Sequence, residues 1–556
     1  MIESFAFQNY KAFASGEIEP KPITILVGAN SSGKSSILQL LLLFSQTQGR
    51  DLGTGPLTVN GDRASFGDAL NIIKDRSVSK PLSFKFRITP TNIFDNELIA
   101  DLARKTVFES LSFTREPSNK HLFANASQSF DTLNSPKQVS IDIKKELMNP
   151  LISLAEWMRD EFRKNKKSLT PQSDVAFKKE NASTAANSSL VLSPYEKLVD
   201  TLTLIRTTAE EPIVDHVEYA FFYSAKSATL ELQSISLSGN DKDILTFSRR
   251  RPNGRMVNDL RSDIFANSIL RKYRTNFSQQ IHTSGLEVLE GGSAGFRLRV
   301  DNEVFEKFLF GIFNRATQKI NESFIGERIQ HVSPLRASPR RYYLLDRHYA
   351  RASLDTQDGA LLADILKKKK PVREHVNKWL RNFGLSVNVH DVRDIIQSIK
   401  VEQNGLDLDL TDVGFGISQV LPVIVQGFLA EANSMTLIEQ PEIHLHPKMQ
   451  ADLADLFVDM VKTTRSKILV ETHSEYILKR LRRRIAEGVI SAEDVGIYLV
   501  HGTLGKNRSS YIEQAKIGKM GAFKWPKDFS ETELEDTIAF ARLQISPQPT
   551  DAEPRG

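Results

Sequence analysis

The chain has 556 residues, 40% of them hydrophobic and 25% charged, which is enough to build a sizeable core and excludes complete disorder. Its 73 basic and 68 acidic residues leave a formal charge of +5, too mild by itself to argue for a nucleic-acid partner. The absence of cysteine removes disulfides, thiol nucleophiles and cysteine-based zinc sites, so any metal falls to oxygen or histidine ligands.

The opening IESFAFQNYKAF alternates apolar and polar residues like a half-buried strand, without the basic, apolar and small-residue sections of a signal peptide. No run reaches the ~18 apolar residues of a membrane span. Both features predict a cytoplasmic chain with no membrane association. The compact apolar run PITILV then ends at Gly28, and SILQLLLLFSQ, beginning with a serine just after Ser35, reads as a buried helix.

Between strand and helix lies Gly28-Ala29-Asn30-Ser31-Ser32-Gly33-Lys34-Ser35, a complete G-x-x-x-x-G-K-[ST] phosphate loop. Glycines let the backbone curl so that successive N–H groups point at phosphate oxygens. Gly28, Asn30, Ser31, Gly33, Lys34, Ser35 and Ser36 are therefore the expected nucleotide-binding residues. Lys34 reaches the β- and γ-phosphates, and the Ser35 hydroxyl is a ligand for Mg²⁺.

Residues 91–330 read as an inserted domain of mixed α/β character. KELMNPLISLAEWMRDEF has a helical pattern, whereas VEYAFFYS and ATLELQSISL read as strands. Within the insertion, residues 163–193 are polar, lysine-rich and poor in large apolar groups, which predicts a mobile loop. Basic clusters occur at Arg249 to Arg251, at Lys367 to Lys370, and at Lys479, Arg480 and Arg482 to Arg484. Such runs are solvated faces unless a partner neutralises them.

The C-terminal part supplies three further signals in chain order. Asp412 to Gln419, DVGFGISQ, is a glycine- and serine-containing turn before the apolar helix VLPVIVQGFLA, hence a second anion-binding helix start, or a plain N-cap by Ser418. SMTLIE is an apolar strand ending in Glu439, as a Walker B strand that holds Mg²⁺ should be. SKILVETHS is another buried strand, ending near His473, which is positioned to reach a γ-phosphate. His444 and His446 lie two apart in a loop after Glu439 and do not make a metal pair.

Together, GANSSGKSS, DVGFGISQVLP, LIEQPEIHLHP and ETHSEYIL resemble the SMC/RecF-like branch of ABC ATPases, in particular the OLD-like AAA ATPases of bacterial anti-phage systems of the Septu or retron-associated kind. NYKAF, PLRASPRRYY and GAFKWPKDF extend the resemblance to about half of the chain, while the insertion carries none of it. The fold class implied is α/β, an ABC-type P-loop ATPase whose split nucleotide-binding domain joins residues 1–90 and 331–540 around one mixed sheet, with a disordered tail at 541–556. The resemblance implies ATP and Mg²⁺ as cofactors and a head-to-tail homodimer or higher even oligomer. In it Gly416, Ser418 and Gln419 would act in trans on the nucleotide of the other copy.

By the same resemblance Glu439, Gln440, Glu442 and His473 are the catalytic candidates, with Ser35 and Glu439 on the metal. One departure stands out: most ABC ATPases end Walker B in Asp-Glu, and here the pair is Glu439-Gln440. Glutamine is no general base, which predicts slow hydrolysis, with Glu442 as a substitute. The Q-loop glutamine is open between Gln39 and Gln46. The stretch after His473 leaves no room for a Toprim nuclease domain, so any DNA cleavage belongs to a separate nuclease effector that the ATPase regulates. Two other readings are a RecF-like repair ATPase that clamps DNA through Arg482 to Arg484, and a nucleotide-sensing scaffold without turnover.

Overall fold

The computed structural model describes residues 2–47, 56–94, 96–110, 120–133, 141–168, 193–208, 210–250, 257–284, 286–290, 304–336, 338–344, 360–393, 396–502 and 509–524. The strand Ile23–Val27 is buried along its whole length, and an apolar run of this kind needs cover on both faces. It finds that cover in a six-stranded sheet. The order is Ile329–Val332, Met435–Glu439, Lys467–Glu471, Ile23–Val27, Val495–His501 and Tyr511–Gln514. The first five strands are parallel and the last is antiparallel. The phosphate-loop strand and the strand of Glu439 are thus separated by one strand, that of Glu471.

Alternate residues of this sheet enter two cores. Ile23, Ile25, Val27, Ile438, Val470 and Leu499 pack with the helices Phe415–Leu429, Pro447–Thr464 and Glu475–Ala486. Leu26, Leu437, Leu469 and Val500 face the other way, onto the helix Lys34–Thr47, whose leucines are all buried.

Beyond that helix lies a second, antiparallel sheet of seven strands. It runs Phe13–Ile18, Ser4–Tyr10, Leu82–Asn92, Ile213–Ser224, Thr229–Gly239, Lys242–Arg250 and Val257–Arg261. The helix and this sheet meet through Phe44. Its ring packs edge-on against Phe84 at 4.9 Å and Phe86 at 5.1 Å, and against Phe324 of the helix Val304–Phe324 at 5.3 Å. A third, four-stranded antiparallel sheet, Tyr343–Leu344, Leu385–Arg393, Ile396–Gln403 and Leu406–Asp409, precedes the helix Phe415–Leu429.

Several sequence expectations change. The expected nucleotide-binding domain is built on separate sheets rather than one mixed sheet: the strand Ser4–Tyr10 pairs antiparallel with its hairpin partner Phe13–Ile18 and with Leu82–Asn92 instead of joining the parallel strands. The strand Leu82–Asn92 crosses the expected boundary at residue 90, and four strands of the insertion continue its sheet. The insertion's VEYAFFYS and ATLELQSISL segments do form strands, and KELMNPLISLAEWMRDEF lies in the helix Ile141–Ser168.

That helix also carries residues 163–168 of the expected mobile loop, since its lysines and arginines are good helix formers and Arg163 pairs with Glu196. At the other end Ser193 caps the helix Pro194–Arg206 in a reciprocal capping box with Glu196. The rest of the loop and the 541–556 tail fall outside the described residues. No helix among the described residues is long and apolar enough to cross a membrane.

Candidate nucleotide site

The C-terminal edge of the parallel sheet brings the predicted residues together. Gly28 follows the central strand so closely beside its neighbour that a Cβ there would sit 2.1 Å from the Val500 carbonyl oxygen. Gly33, at φ +112°, packs on the Phe13 ring, where a Cβ would meet carbons at 2.7 and 2.8 Å. Ser31 takes a left-handed φ of 61°, and Ala29, Asn30 and Ser31 are exposed at the tip of the loop. Ser36 lies in the first turn of the helix that starts at Lys34, its carbonyl accepting from the Tyr10 hydroxyl at 2.9 Å.

Lys34 is only 3% exposed and donates to the carbonyls of Gly28 at 3.0 Å and Ala29 at 2.8 Å. Burial pulls its pKa down, and the charges of Glu471 and Glu442 pull it back up. Ser35 Oγ donates to both carboxylate oxygens of Glu471, at 3.0 and 2.8 Å. Ser32 Oγ and His473 Nε2 are enclosed without a partner among the described residues. A phosphate chain in the loop supplies the acceptors that these two atoms lack, so the residues present fit a nucleotide.

Three carboxylates ring this loop. Glu439 Oε1 lies 2.8 Å from His331 Nε2, on the strand farther from the phosphate loop. Glu471 is 3% exposed, and burial raises its pKa against the hydrogen bond from Ser35, with the Glu439 and Glu442 charges adding to the rise. Glu442 accepts the His473 backbone N–H at 2.6 Å, its second oxygen is enclosed, and burial raises its pKa as well. Burial lowers the pKa of His473 and the Lys34 charge adds to the effect, so the imidazole is neutral at pH 7. Gln440 has a left-handed φ of 42°, and its N–H donates to the Glu471 carbonyl at 2.8 Å.

The glycine-serine turn is tied into the same edge. Its helix begins at Phe415, ahead of the expected VLPV start, so Gly416, Ser418 and Gln419 are helical, and Gly414, not Ser418, is the N-cap. Ser418 and Gln419 are each 4% exposed, and a Cβ on Gly416 would lie 2.9 Å from the His444 carbonyl. Arg336, 7% exposed, bridges the two halves: its guanidinium donates to the carbonyls of Gln419 at 3.2 Å, Glu439 at 3.0 Å and Gln440 at 3.3 Å. Burial brings its pKa down to about 10.

Sequence reasoning passed over Glu471, His331 and Arg336. A signal for Glu471 was present, because ILVE repeats the pattern of TLIE, an apolar strand ending in glutamate. Of the Q-loop candidates, Gln39 accepts from Lys11, and Gln46 holds Thr58 and Ala64. His446 caps the helix Pro447–Thr464 through Nδ1.

The sequence pattern of the AAA ATPase domain family matches residues 1–283 and 300–478. The chain belongs to the AAA ATPase domain family. The match takes in most of residues 91–330, so the insertion is part of what this AAA ATPase shares with its family, contrary to the expectation that it carried no resemblance.

Among solved structures the chain is similar to the SMC head domain from Thermotoga maritima, at 9% identity and a TM-score of 0.31 over 93% of this chain and 99% of that one. It is likewise similar to a Pyrococcus furiosus Smc head domain with an extended coiled coil, bound to the C-terminal domain of ScpA. There the identity is 10% and the TM-score 0.32, over 98% and 99% of the two chains. No curated protein matches the sequence.

Most of the basic residues at 367–370 and 479–484 of this AAA ATPase pair with nearby carboxylates. Arg480 binds Asp452 and Asp455, Arg484 binds Asp455 and Glu487, Arg483 binds Glu487, and Lys479 binds Glu475. Lys367, Lys368 and Lys370 pair with Asp391, Asp364 and Glu374.

Proposed function

We propose that this protein binds ATP with Mg²⁺ in its phosphate loop and hydrolyses it slowly, using closure of a head-to-tail homodimer as an ATP-dependent switch. The observation that carries the reading is the convergence of Lys34, Ser35, Glu471, Glu442 and His473 on one sheet edge, with Ser32 Oγ and His473 Nε2 lacking partners among the described residues. Lys34 holds phosphate oxygens, Ser35 and Glu439 attend the cation, and neutral His473 donates or accepts at the terminal phosphate. Magnesium bound there supplies neutralisation of phosphate charge. Gly416, Ser418 and Gln419 of a second copy would close over the nucleotide. Because the Ser418 and Gln419 side chains are buried, the group offered is the helix start at Gly414 to Gly416, where first-turn N–H groups have no partner within the helix.

Gln440 supports slow turnover, since a carboxamide cannot take the proton of the attacking water. Glu442, whose pKa is raised by burial and which accepts from the His473 N–H, is the substitute base. Gln440→Glu should raise phosphate release, by up to ~10²-fold for a newly supplied base; a fall in turnover rejects the reading. Flat phosphate release from the wild type, with nucleotide bound, turns it into a nucleotide-sensing scaffold.

The resemblance of GANSSGKSS, LIEQPEIHLHP and ETHSEYIL to anti-phage ATPases supports a regulatory role over a separate nuclease effector. Co-purification and nuclease assays with the product of the neighbouring gene test it. The RecF-like alternative of direct DNA clamping loses support from the pairing of Arg483 and Arg484 with Glu487 and Asp455.

A further inference from the structure

Glu471 ends the strand that lies between the phosphate-loop strand and the strand of Glu439. The register pairs Glu439 with Glu471, so two glutamates end neighbouring strands at one level of the sheet. They are engaged differently. Glu439 Oε1 is held by His331, on the side of its strand away from the phosphate loop. Glu471 turns to the loop, and both of its oxygens accept from Ser35 Oγ.

A hydroxyl that offers a lone pair to a cation must send its proton to some other acceptor, and Glu471 already occupies that position. No group of three or more histidine or acidic ligands is present among the described residues, so a cation here depends on nucleotide oxygens, a hydroxyl and the carboxylates behind it. Ser32 Oγ, 1% exposed and unpartnered among the described residues, marks the same pocket as made for a ligand.

We propose that Glu471 is the positioning carboxylate of the metal–nucleotide site: it fixes Ser35 as a cation ligand by accepting its hydroxyl proton, and it accepts from water on the cation. Glu439, tied to His331, has the lesser part. This deepens the ATP-binding reading above and rests on it. It also assigns a task to a residue that neither the P-loop nor the Walker B pattern contains.

The test is titration of a fluorescent ATP analogue into the full chain in EDTA and in Mg²⁺, with bound Mn²⁺ counted by electron paramagnetic resonance. In Glu471→Gln the gain in affinity on adding Mg²⁺ should shrink by about ten-fold or more, as for other groups that orient metal ligands, while affinity in EDTA holds or rises. Nucleotide-dependent Mn²⁺ binding should fall in parallel. Glu439→Gln should lose less of the gain.

A full magnesium gain in Glu471→Gln, or a larger loss in Glu439→Gln, overturns the assignment and leaves ATP binding intact. A wild-type chain that binds no nucleotide under either condition overturns the ATP reading and the assignment with it. Should Glu471→Gln fail to fold by circular dichroism, Glu471→Asp carries the same test. It keeps the charge and shortens the reach to Ser35, and an undiminished gain there also overturns the assignment.

Discussion

The two large sheets of this protein sit on opposite sides of the helix Lys34–Thr47 and divide the work between them. The parallel sheet uses short, continuously apolar strands whose C-terminal ends carry Gly28, Glu439 and Glu471, so its chemistry is concentrated on one edge. The antiparallel sheet uses longer alternating strands, up to the twelve residues of Ile213–Ser224, and meets the helix through aromatic rings. The contrast shows a helix whose first residue belongs to the phosphate loop and whose eleventh packs the scaffold: Lys34 at one end, Phe44 near the other.

That division can be broken or sharpened by substitution. Phe44→Ala removes a ring packed on Phe84, Phe86 and Phe324, and should lower the unfolding free energy by about 3–5 kcal/mol in urea denaturation. Its affinity for ATP, measured below the transition, should stay near wild type; a parallel loss of affinity would show that scaffold and site are not separable. Lys34→Ala tests the other end. It should weaken ATP binding by about 2–5 kcal/mol in calorimetric titration, the range for removing one partner of an enclosed charge pair.

Arg336→Ala is expected to have the smallest effect of the three. It leaves the carbonyls of Gln419, Glu439 and Gln440 short of a donor, at a cost of about 1–3 kcal/mol in stability by thermal melting. If the arginine also couples the turn to the Glu439 loop, ATP turnover should fall more than ATP affinity does.

Much of the site was legible because its parts are local. A glycine loop between an apolar strand and an apolar helix declares itself over some twenty residues, and SMTLIE and SKILVE end in polar residues where a sheet edge must lie. What was not legible depends on partners distant in the chain. Nothing in ITILV says that its neighbours are Lys467–Glu471 and Val495–His501, and nothing in LSFKFRITPTN says that it pairs with Ile213–Ser224. Glu471 was overlooked for this reason: beside His473 it read as the end of a buried strand, and only the strand order brings it to Ser35. Likewise, the basic run at 479–484 read as free charge until the packing of Glu475–Ala486 on Pro447–Thr464 supplied Asp452 and Asp455.

The central position of Ile23–Val27 has a consequence for how the protein is made. The phosphate-loop strand is synthesised ~440 residues ahead of the first of the two strands that flank it, which at 5–20 residues per second is a wait of tens of seconds. During that interval an apolar strand has no edge to pair with and must be shielded by the early antiparallel strands or by a chaperone. The nucleotide pocket therefore cannot close before Lys467–Glu471 and Val495–His501 are made, and a chain truncated or stalled ahead of them carries an intact P-loop sequence with no pocket around it.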